Sequence, residues 1–575
     1  MNARVQRRAA PEQVFDAPGL PPLLARVYAA RGIASANELE LTLAHLLPPS
    51  TLKSSEAAGR MLADALADEQ HILVVGDYDA DGATSTALAL TVLRAMGAAN
   101  VSYLVPNRFE YGYGLTPAIV ELAKPLGPDI IVTVDNGISS LEGVAAARAA
   151  GIATLVTDHH LAGRQLPDAD VIVNPNQPGC NFASKSLAGV GVMFYCLLAL
   201  RAELRQRGWF SDARPEPNLA DYLDLVALGT VADVVPLDRN NRILVDAGLK
   251  RIRAGRACHG IAALLEVANR QQGRAVASDL GFAAGPRLNA AGRLDDISVG
   301  IECLLAPDAH RARALAADLD GLNRDRRAIE LGMQRDAQAQ LDAMVFDDAE
   351  QPPVAYCLYD AGWHEGVVGI LASRIKDRVH RPTIAFADGA GGELKGSARS
   401  IKGIHIRDVL DAVATRNPGL VSKFGGHAMA AGLSLPAESL DAFRKAFIAE
   451  VARHAEDVEL DAVIESDGAL SAAEFDLQLA EALRFAGPWG QHFPEPVFDG
   501  VFNVVDQRLV GSNHLKMVLS LPGESTVMDA IQFNVDTASW PQPELSQVRA
   551  AYRLDVNQYR GRNSLQLMID HLEPV

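Results

Sequence analysis

The chain has 575 residues, with 53 basic against 71 acidic side chains, a formal net charge of −18 and a mean hydropathy of +0.05. At roughly 150 residues per domain this predicts three to four globular domains, and it excludes both general disorder and a uniformly basic, histone-like nucleic-acid binder. Five cysteines, Cys180, Cys196, Cys258, Cys303 and Cys357, stand far apart without a CxxC pair, which excludes a disulfide frame or zinc-finger spacing and points to a reduced, intracellular chain.

Residues 1–60 read as an N-terminal segment of short helices, interrupted at Pro21-Pro22 and Pro48-Pro49. The basic start, MNARVQRRAAPEQ, leads into no apolar core and so does not read as a signal peptide. The longest apolar stretch, Leu187 to Leu200, meets Arg201 before it could cross a bilayer, so a soluble, cytoplasmic protein with no membrane partner is expected.

Residues 61–305 carry apolar runs of strand length near Ile72–Val75, Val101–Val105, Ile130–Val134, Ala153–Val156, Val171–Val173 and Leu225–Leu228, alternating with helix-like stretches such as Ala83–Met96. That alternation predicts a doubly wound α/β domain on a mostly parallel sheet. Residues 306–345 are charged and nearly free of Gly and Pro, with Leu315, Leu319, Leu322, Ile329, Met333 and Leu341 at helical spacing. A long connecting helix, slightly broken at Gly321, is expected there. Residues 346–456 predict a smaller α/β domain, with strands near Val354–Tyr359 and Pro382–Ala387 and Gly-rich turns at 389–392 and 425–426. In residues 457–575 short strands dominate (Val501–Val505, His514–Leu519, Val548–Leu554, Ser564–Ile569), which predicts a small antiparallel barrel or sandwich.

The acidic residues fall at the expected strand ends. Asp77, Asp79 and Asp81 follow the first strand, Asp135 follows 130–134, Asp158-His159-His160 follows 153–157, and Asp233 follows the apolar 225–231 run. The carboxyl ends of parallel strands share one edge, where ligands bind, so four segments would deliver carboxylates and two imidazoles to one crevice. Carboxylates so crowded repel each other unless cations compensate. An oxygen and imidazole set suits Mn²⁺ or Mg²⁺, and the number of ligands suits two ions, an arrangement that hydrolyses phosphoesters. A single Asp after a strand is more often a helix cap or turn residue, and Asp77 to Gly82 copies the start of a calcium loop. The twelfth loop position is Leu88, however, and a strand precedes the loop where a helix is required.

Asp-Tyr-Asp-Ala-Asp-Gly (77–82), Asp-Asn-Gly (135–137), Asp-His-His (158–160) and Val-Ala-Asp (231–233), in that order, resemble the DHH phosphoesterase superfamily. Gly425-Gly426-His427-Ala428-Met429-Ala430-Ala431-Gly432 resembles the glycine-rich signature of the associated DHHA1 domain. With Pro286-Arg287-Leu288-Asn289-Ala290-Ala291-Gly292-Arg293 and the strand-rich C-terminal module, the chain is most similar to the RecJ family of bacterial 5′→3′ exonucleases specific for single-stranded DNA. The resemblance implies a DHH domain joined by a long helix to a DHHA1 domain, with an OB-like domain behind it. It implies metal-dependent degradation of single-stranded DNA to mononucleotides in repair and recombination. A helicase and a single-strand-binding protein are the implied partners.

Carried over position by position, the resemblance implies Asp77 and Asp79 on one metal, Asp81, His159 and Asp233 on the other, and Asp135 bridging. Val75 stands where many members carry a histidine ligand, so Asp77 or water completes the first site. His160 would face the scissile phosphate as charge stabiliser or general acid, with Asp158 orienting an imidazole. Ser397 and Arg399, with Arg287 or Arg293, would form a 5′-phosphate pocket, and His427 would touch a phosphate. Arg108 and Tyr113 lie in a loop suited to cation contact and base stacking, and a narrow passage between the α/β lobes would select single strands. Lys516, Arg553, Arg560 and Arg562 are candidate contacts on the OB-like module. The rival readings are a superfamily phosphoesterase acting on RNA or small nucleotides, and an inactive replication scaffold.

Overall fold

Ile72-Leu73-Val74-Val75 has no polar face, so its strand must be covered on both sides. The computed structural model, which describes residues 4–9, 13–106, 111–343, 353–456, 458–537, 539–559 and 561–575, provides that cover. Five parallel strands run in the order Val101–Leu104, Ile72–Gly76, Ile130–Val134, Ala153–Thr157, Val171–Val173. Alternation sorts their side chains to two cores. Ile72, Val74, Ile130 and Val132 meet Ala83, Ala87, Val192 and Leu197 of helices Ala80–Ala95 and Gly189–Gln206. Leu73, Val75, Ile131 and Val156 meet Ile119, Val120, Val144 and Ala147 of helices Pro117–Ala123 and Leu141–Ala149.

The run expected as a sixth strand, Leu225–Leu228, is instead part of the helix Leu223–Ala232. It packs on helices Ala80–Ala95 and Arg239–Arg253. Buried on nearly every side, it lacks any apolar stripe, and a short apolar run of that kind cannot be told from a strand by periodicity.

The N-terminal segment also departs from the all-helical expectation. Arg4–Arg7 is a strand that pairs with Val463–Ser466, and Pro22 opens the helix Pro22–Ala29, its missing N–H being harmless at the first turn. Tyr28 stacks on Trp489 and Phe493, and Arg31 forks onto Asp467, so this segment is anchored far along the sequence.

Residues 466–575 hold a closed five-stranded barrel in the order Phe498–Val510, His514–Ser520, Val527–Gln532, Arg562–Pro574, Gln547–Tyr559. It is not wholly antiparallel, because Val527–Gln532 and Arg562–Pro574 run parallel. This barrel forms one compact unit with residues 7–323.

Residues 324–465 with 4–6 form a second unit, built on a mixed sheet in the order Lys423–Gly426, Ala430–Pro436, Glu393–Arg399, Thr383–Asp388, Tyr356–Tyr359. Only the last two strands are parallel. Phe386, Leu433, Val409 and Phe443 form its core with helices Ile406–Arg416 and Leu440–His454. Gly425 and Gly426, expected in a turn, end a strand. The helix Ala309–Ala343 runs unbroken through Gly321. No described helix is long and apolar enough to cross a membrane.

Candidate metal centre

The chain leaves the buried strand Ile72–Gly76 and turns into helix Ala80–Ala95 through Asp77, Tyr78 and Asp79. Asp79 caps that helix, its Oδ1 accepting from the N–H groups of Asp81 at 2.9 Å and Gly82 at 3.0 Å. The helix-cap reading is thus true of one oxygen and leaves the other available. Asp81, fully buried in the first turn, caps a different helix: its Oδ2 accepts from Gly189 N–H at 2.6 Å and its Oδ1 from Val190 N–H at 2.9 Å. A carboxylate at that N-terminus is favoured by the helix dipole.

Asp135 leaves the strand Ile130–Val134 in a left-handed conformation, φ 61°, and is buried. Asp158, at the end of Ala153–Thr157, accepts from the backbone N–H of His159 (2.7 Å), His160 (3.1 Å) and Ile138 (2.9 Å) and lies 2.7 Å from His160 Nδ1. Burial alone would raise its pKa, but the His160 hydrogen bond and neighbouring imidazoles hold it below the ordinary carboxylate value. Asp158 therefore orients His160. His159 Nε2 lies 3.1 Å from Asp135 Oδ1 and 3.5 Å from Asp233 Oδ2. Asp233 arrives from the C-terminus of helix Leu223–Ala232, not from a strand end.

Three ligand groups result, each with donor atoms within 4.8 Å of one another: Asp77, Asp79 and Asp135; Asp81, His159 and Asp233; and Asp135, His159 and His160. Asp135 belongs to two of them. Burial, then the Asp79 charge, raises Asp81 to about 7 against the pull of its helix hydrogen bonds. Burial, then the charge of Asp81 and Asp79, pushes Asp135 and Asp233 well above the ordinary value. Asp135 Oδ1 and Asp233 Oδ2 are buried and accept no hydrogen bond from the described residues. Crowded carboxylates, two of them with a buried oxygen that accepts no hydrogen bond, beside an imidazole are the donor set of a hard or borderline divalent cation.

Tyr113, half exposed, donates through its hydroxyl toward the Asp135 carbonyl at 3.3 Å, and its ring meets those of Tyr78 and His160 edge-on. Arg108 lies outside the described residues, as does Arg560. Arg287 is buried, with Nη2 2.7 Å from Asp320 Oδ1 and Nη1 donating to the Ala283 carbonyl at 2.7 Å, so its charge is already neutralised. Arg293 is half-buried in the last turn of helix Gly285–Leu294.

In the second unit, Arg399 Nη1 donates to Ser397 Oγ at 3.0 Å and to the Ala398 carbonyl at 2.8 Å. No carboxylate among the described residues pairs with Arg399. Both side chains lie against Gly369 in the first turn of helix Val368–Val379, where a Cβ would come within 2.9 Å of Arg399 Nη2. His427 is exposed at the hairpin between Lys423–Gly426 and Ala430–Pro436. On the barrel, Arg553 is held by Asp570 and Glu495 and Lys516 faces Asp529, while Arg562 is exposed.

Several supporting residues carried no signal that was read from sequence. A Cβ on Gly189 would come within 2.7 Å of Asp135 Oδ1, and one on Gly229 within 2.3 Å of Thr84 Oγ1 and 2.8 Å of Asp81 Oδ1. Asn174 and Asn176 donate to the carbonyls of His160 (2.9 Å) and His159 (2.6 Å) and so hold the histidine pair. They directly follow the strand Val171–Val173, at the same edge as the acids, which was the available signal. Asn289, which stands inside the Pro286–Arg293 motif but was given no role, accepts through Oδ1 from Ala80 N–H at 2.7 Å and closes the N-terminus of the metal-loop helix.

Residues 71–230 match the DHH family N-terminal domain, 351–453 the DHHA1 domain and 466–571 the RecJ OB domain. The chain is 55% identical to the single-stranded-DNA-specific exonuclease RecJ of Dickeya dadantii and 53% identical to that of Escherichia coli, each comparison covering 100% of both chains. A crystal structure of RecJ in complex with Mn²⁺ from Thermus thermophilus is 30% identical with a TM-score of 0.78, covering 97% of this chain and 76% of that one. With acids and histidines gathered at one sheet edge, a closed C-terminal barrel and full-length identity above one half, the chain belongs to the RecJ family.

Proposed function

We propose that the chain is an exonuclease that degrades single-stranded DNA 5′→3′ to mononucleotides, with two Mn²⁺ or Mg²⁺ ions at the sheet edge. The observation that carries this reading is that Asp135 completes the ligand group of Asp77 and Asp79 while its Oδ1 lies 3.1 Å from Nε2 of His159, which belongs to the group with Asp81 and Asp233. Asp77 and Asp79 hold one ion, Asp81, His159 and Asp233 the other, and Asp135 both. Bound there, such a pair lowers the pKa of a water molecule and neutralises charge on the phosphate oxygens.

The remaining chemistry belongs to the chain itself. Asp158 fixes His160 through Nδ1 at 2.7 Å, and the Tyr113 hydroxyl lies 3.3 Å from its Nε2. In the metal-free chain burial opposes a charged imidazole, but the Asp158 bond and the Asp77 and Asp79 charges outweigh it and raise His160 to about 9; with ions on Asp77 and Asp79 the Asp158 bond is what favours the cation. A cationic His160 stabilises negative charge on the attacked phosphate or gives its proton to the leaving oxygen. Ser397, Arg399 and the Val368–Val379 N-terminus form a phosphate cradle in the second unit, with His427 of the same unit as a further phosphate contact. That anchor gives the enzyme its polarity. Tyr113 packs on the strand beside His160.

Accepting only single strands, such an enzyme serves repair and recombination where a helicase opens duplex and a single-strand-binding protein coats the product. Five free thiols suit the reducing cytoplasm.

Digestion of strands labelled at either end, in Mn²⁺, Mg²⁺ or EDTA, tests the reading. Wild type should shorten only single strands from the 5′ end and stop in EDTA; His159→Ala should be inert, and Arg399→Ala should lose about tenfold or more of its preference for a 5′-phosphate. Turnover in EDTA, 3′→5′ polarity, or an unchanged preference would refute the corresponding assignment.

A further inference from the structure

Phe282 is 79% exposed, more than any other large apolar side chain among the described residues. It stands on a π-helical turn, Leu280–Ala284, a conformation that is rare and concentrated at functional sites. The turn is fixed from behind, because Arg287 donates to the Ala283 carbonyl while Asp320 neutralises its charge. The turn is also fixed to the acid cluster. A Cβ on Gly281 would lie 3.2 Å from Val231 Cγ1, and one on Gly285 3.0 Å from Ala232 Cβ, so it packs directly on the two residues before Asp233. The helix that follows, Gly285–Leu294, holds the metal loop through Asn289 and Ala80 N–H. Next to Asp233 itself, Val234 is 63% exposed and held at φ 61°, a costly conformation for a β-branched residue.

We propose that Phe282 is a base-stacking platform, and that with Val234 it forms an apolar ledge beside Asp233 on which a nucleobase of the substrate strand rests. The inference deepens the exonuclease reading and rests on it. A strand whose phosphate reaches the Asp233 group must leave a base in its surroundings, and an aromatic face accepts any base. In this arrangement Arg287 acts as a positioning residue for the turn, in place of the phosphate contact its motif suggested.

The test is a cycle between ring and base. KM is measured in Mn²⁺ for wild type, Phe282→Ala and Phe282→Trp on 5′-phosphorylated oligothymidylate, intact or with one abasic unit at each of the first six positions. At one position the abasic unit should raise KM about tenfold for wild type and for Phe282→Trp, yet leave Phe282→Ala no worse than it already is on the intact strand. Cleavage by wild type without coupling at any position overturns the stacking role alone. Absence of wild-type cleavage on the intact strand overturns the exonuclease reading and this inference with it.

Discussion

Asp81 and Asp233 share one ligand group, yet different forces act on them. Asp81 satisfies two N–H groups at the start of helix Gly189–Gln206, so Asp81→Ala leaves buried donors unpaired at a cost of about 1–3 kcal/mol each. Asp233 is held by no comparable set, and its charge is opposed by Asp81, Asp79 and Asp77. Asn in its place carries no charge at any pH, so neither burial nor repulsion opposes it. Both substitutions should abolish turnover, but Asp81→Ala should lower the metal-free melting temperature while Asp233→Asn leaves it unchanged or raises it, as calorimetry will show. Equal losses would mean that the helix-capping bonds of Asp81 carry no weight. At this scale the sequence was informative where an acid follows a strand: Asp77, Asp79, Asp81, Asp135 and Asp158 were legible from their positions alone. It could not show Arg287 turned inward to Asp320, because a guanidinium that forks onto a carboxylate and one that waits for a phosphate look alike in a string.

Helices explain what the strands do not. The site needs Leu223–Ala232 and Gly189–Gln206 to approach the metal loop within backbone distance, and Gly229 and Gly189 permit it. Gly229→Ala places a methyl 2.8 Å from Asp81 Oδ1 and should destabilise the protein by about 1–3 kcal/mol while weakening metal affinity; denaturant unfolding with and without Mn²⁺ reads both. A variant as stable and as metal-responsive as wild type would show that the helices can move apart at no cost. The structure brings Asp233 beside Asp81 and His159, although its element was misjudged. The run Leu225–Leu228, buried on all sides, has no periodicity to distinguish strand from helix, whereas Ile72–Gly76, Ile130–Val134 and Ala153–Thr157 were recognisable as apolar, β-branched runs followed by Asp. The long helix was legible from its charge and spacing, and Gly321 failed to break it because nothing crowds that position and a single Gly weakens a helix without ending it.

Across the whole molecule a net charge of −18 makes the local cations and the bound ions decisive for an anionic substrate. Asp81, raised from 3.8 to about 7, and Asp135 and Asp233, raised well above the ordinary carboxylate value, hold protons more tightly folded than unfolded. Their contribution to metal-free stability is therefore full below about pH 4 and fades as pH rises, for Asp81 through about 7. Mn²⁺ competes with those protons, so the melting-temperature gain on adding a fixed concentration of it should grow from pH 6 to pH 8, with a stabilisation of about 2.7 kcal/mol where that concentration is a hundredfold above Kd. A gain independent of pH would place the ion elsewhere. Native mass spectrometry with Mn²⁺ tests the central claim most directly, by counting ions on wild type and on Asp135→Asn. Two ions on the wild-type chain and fewer on the variant are expected; a single ion on wild type, or two retained without Asp135, would contradict a shared two-ion centre.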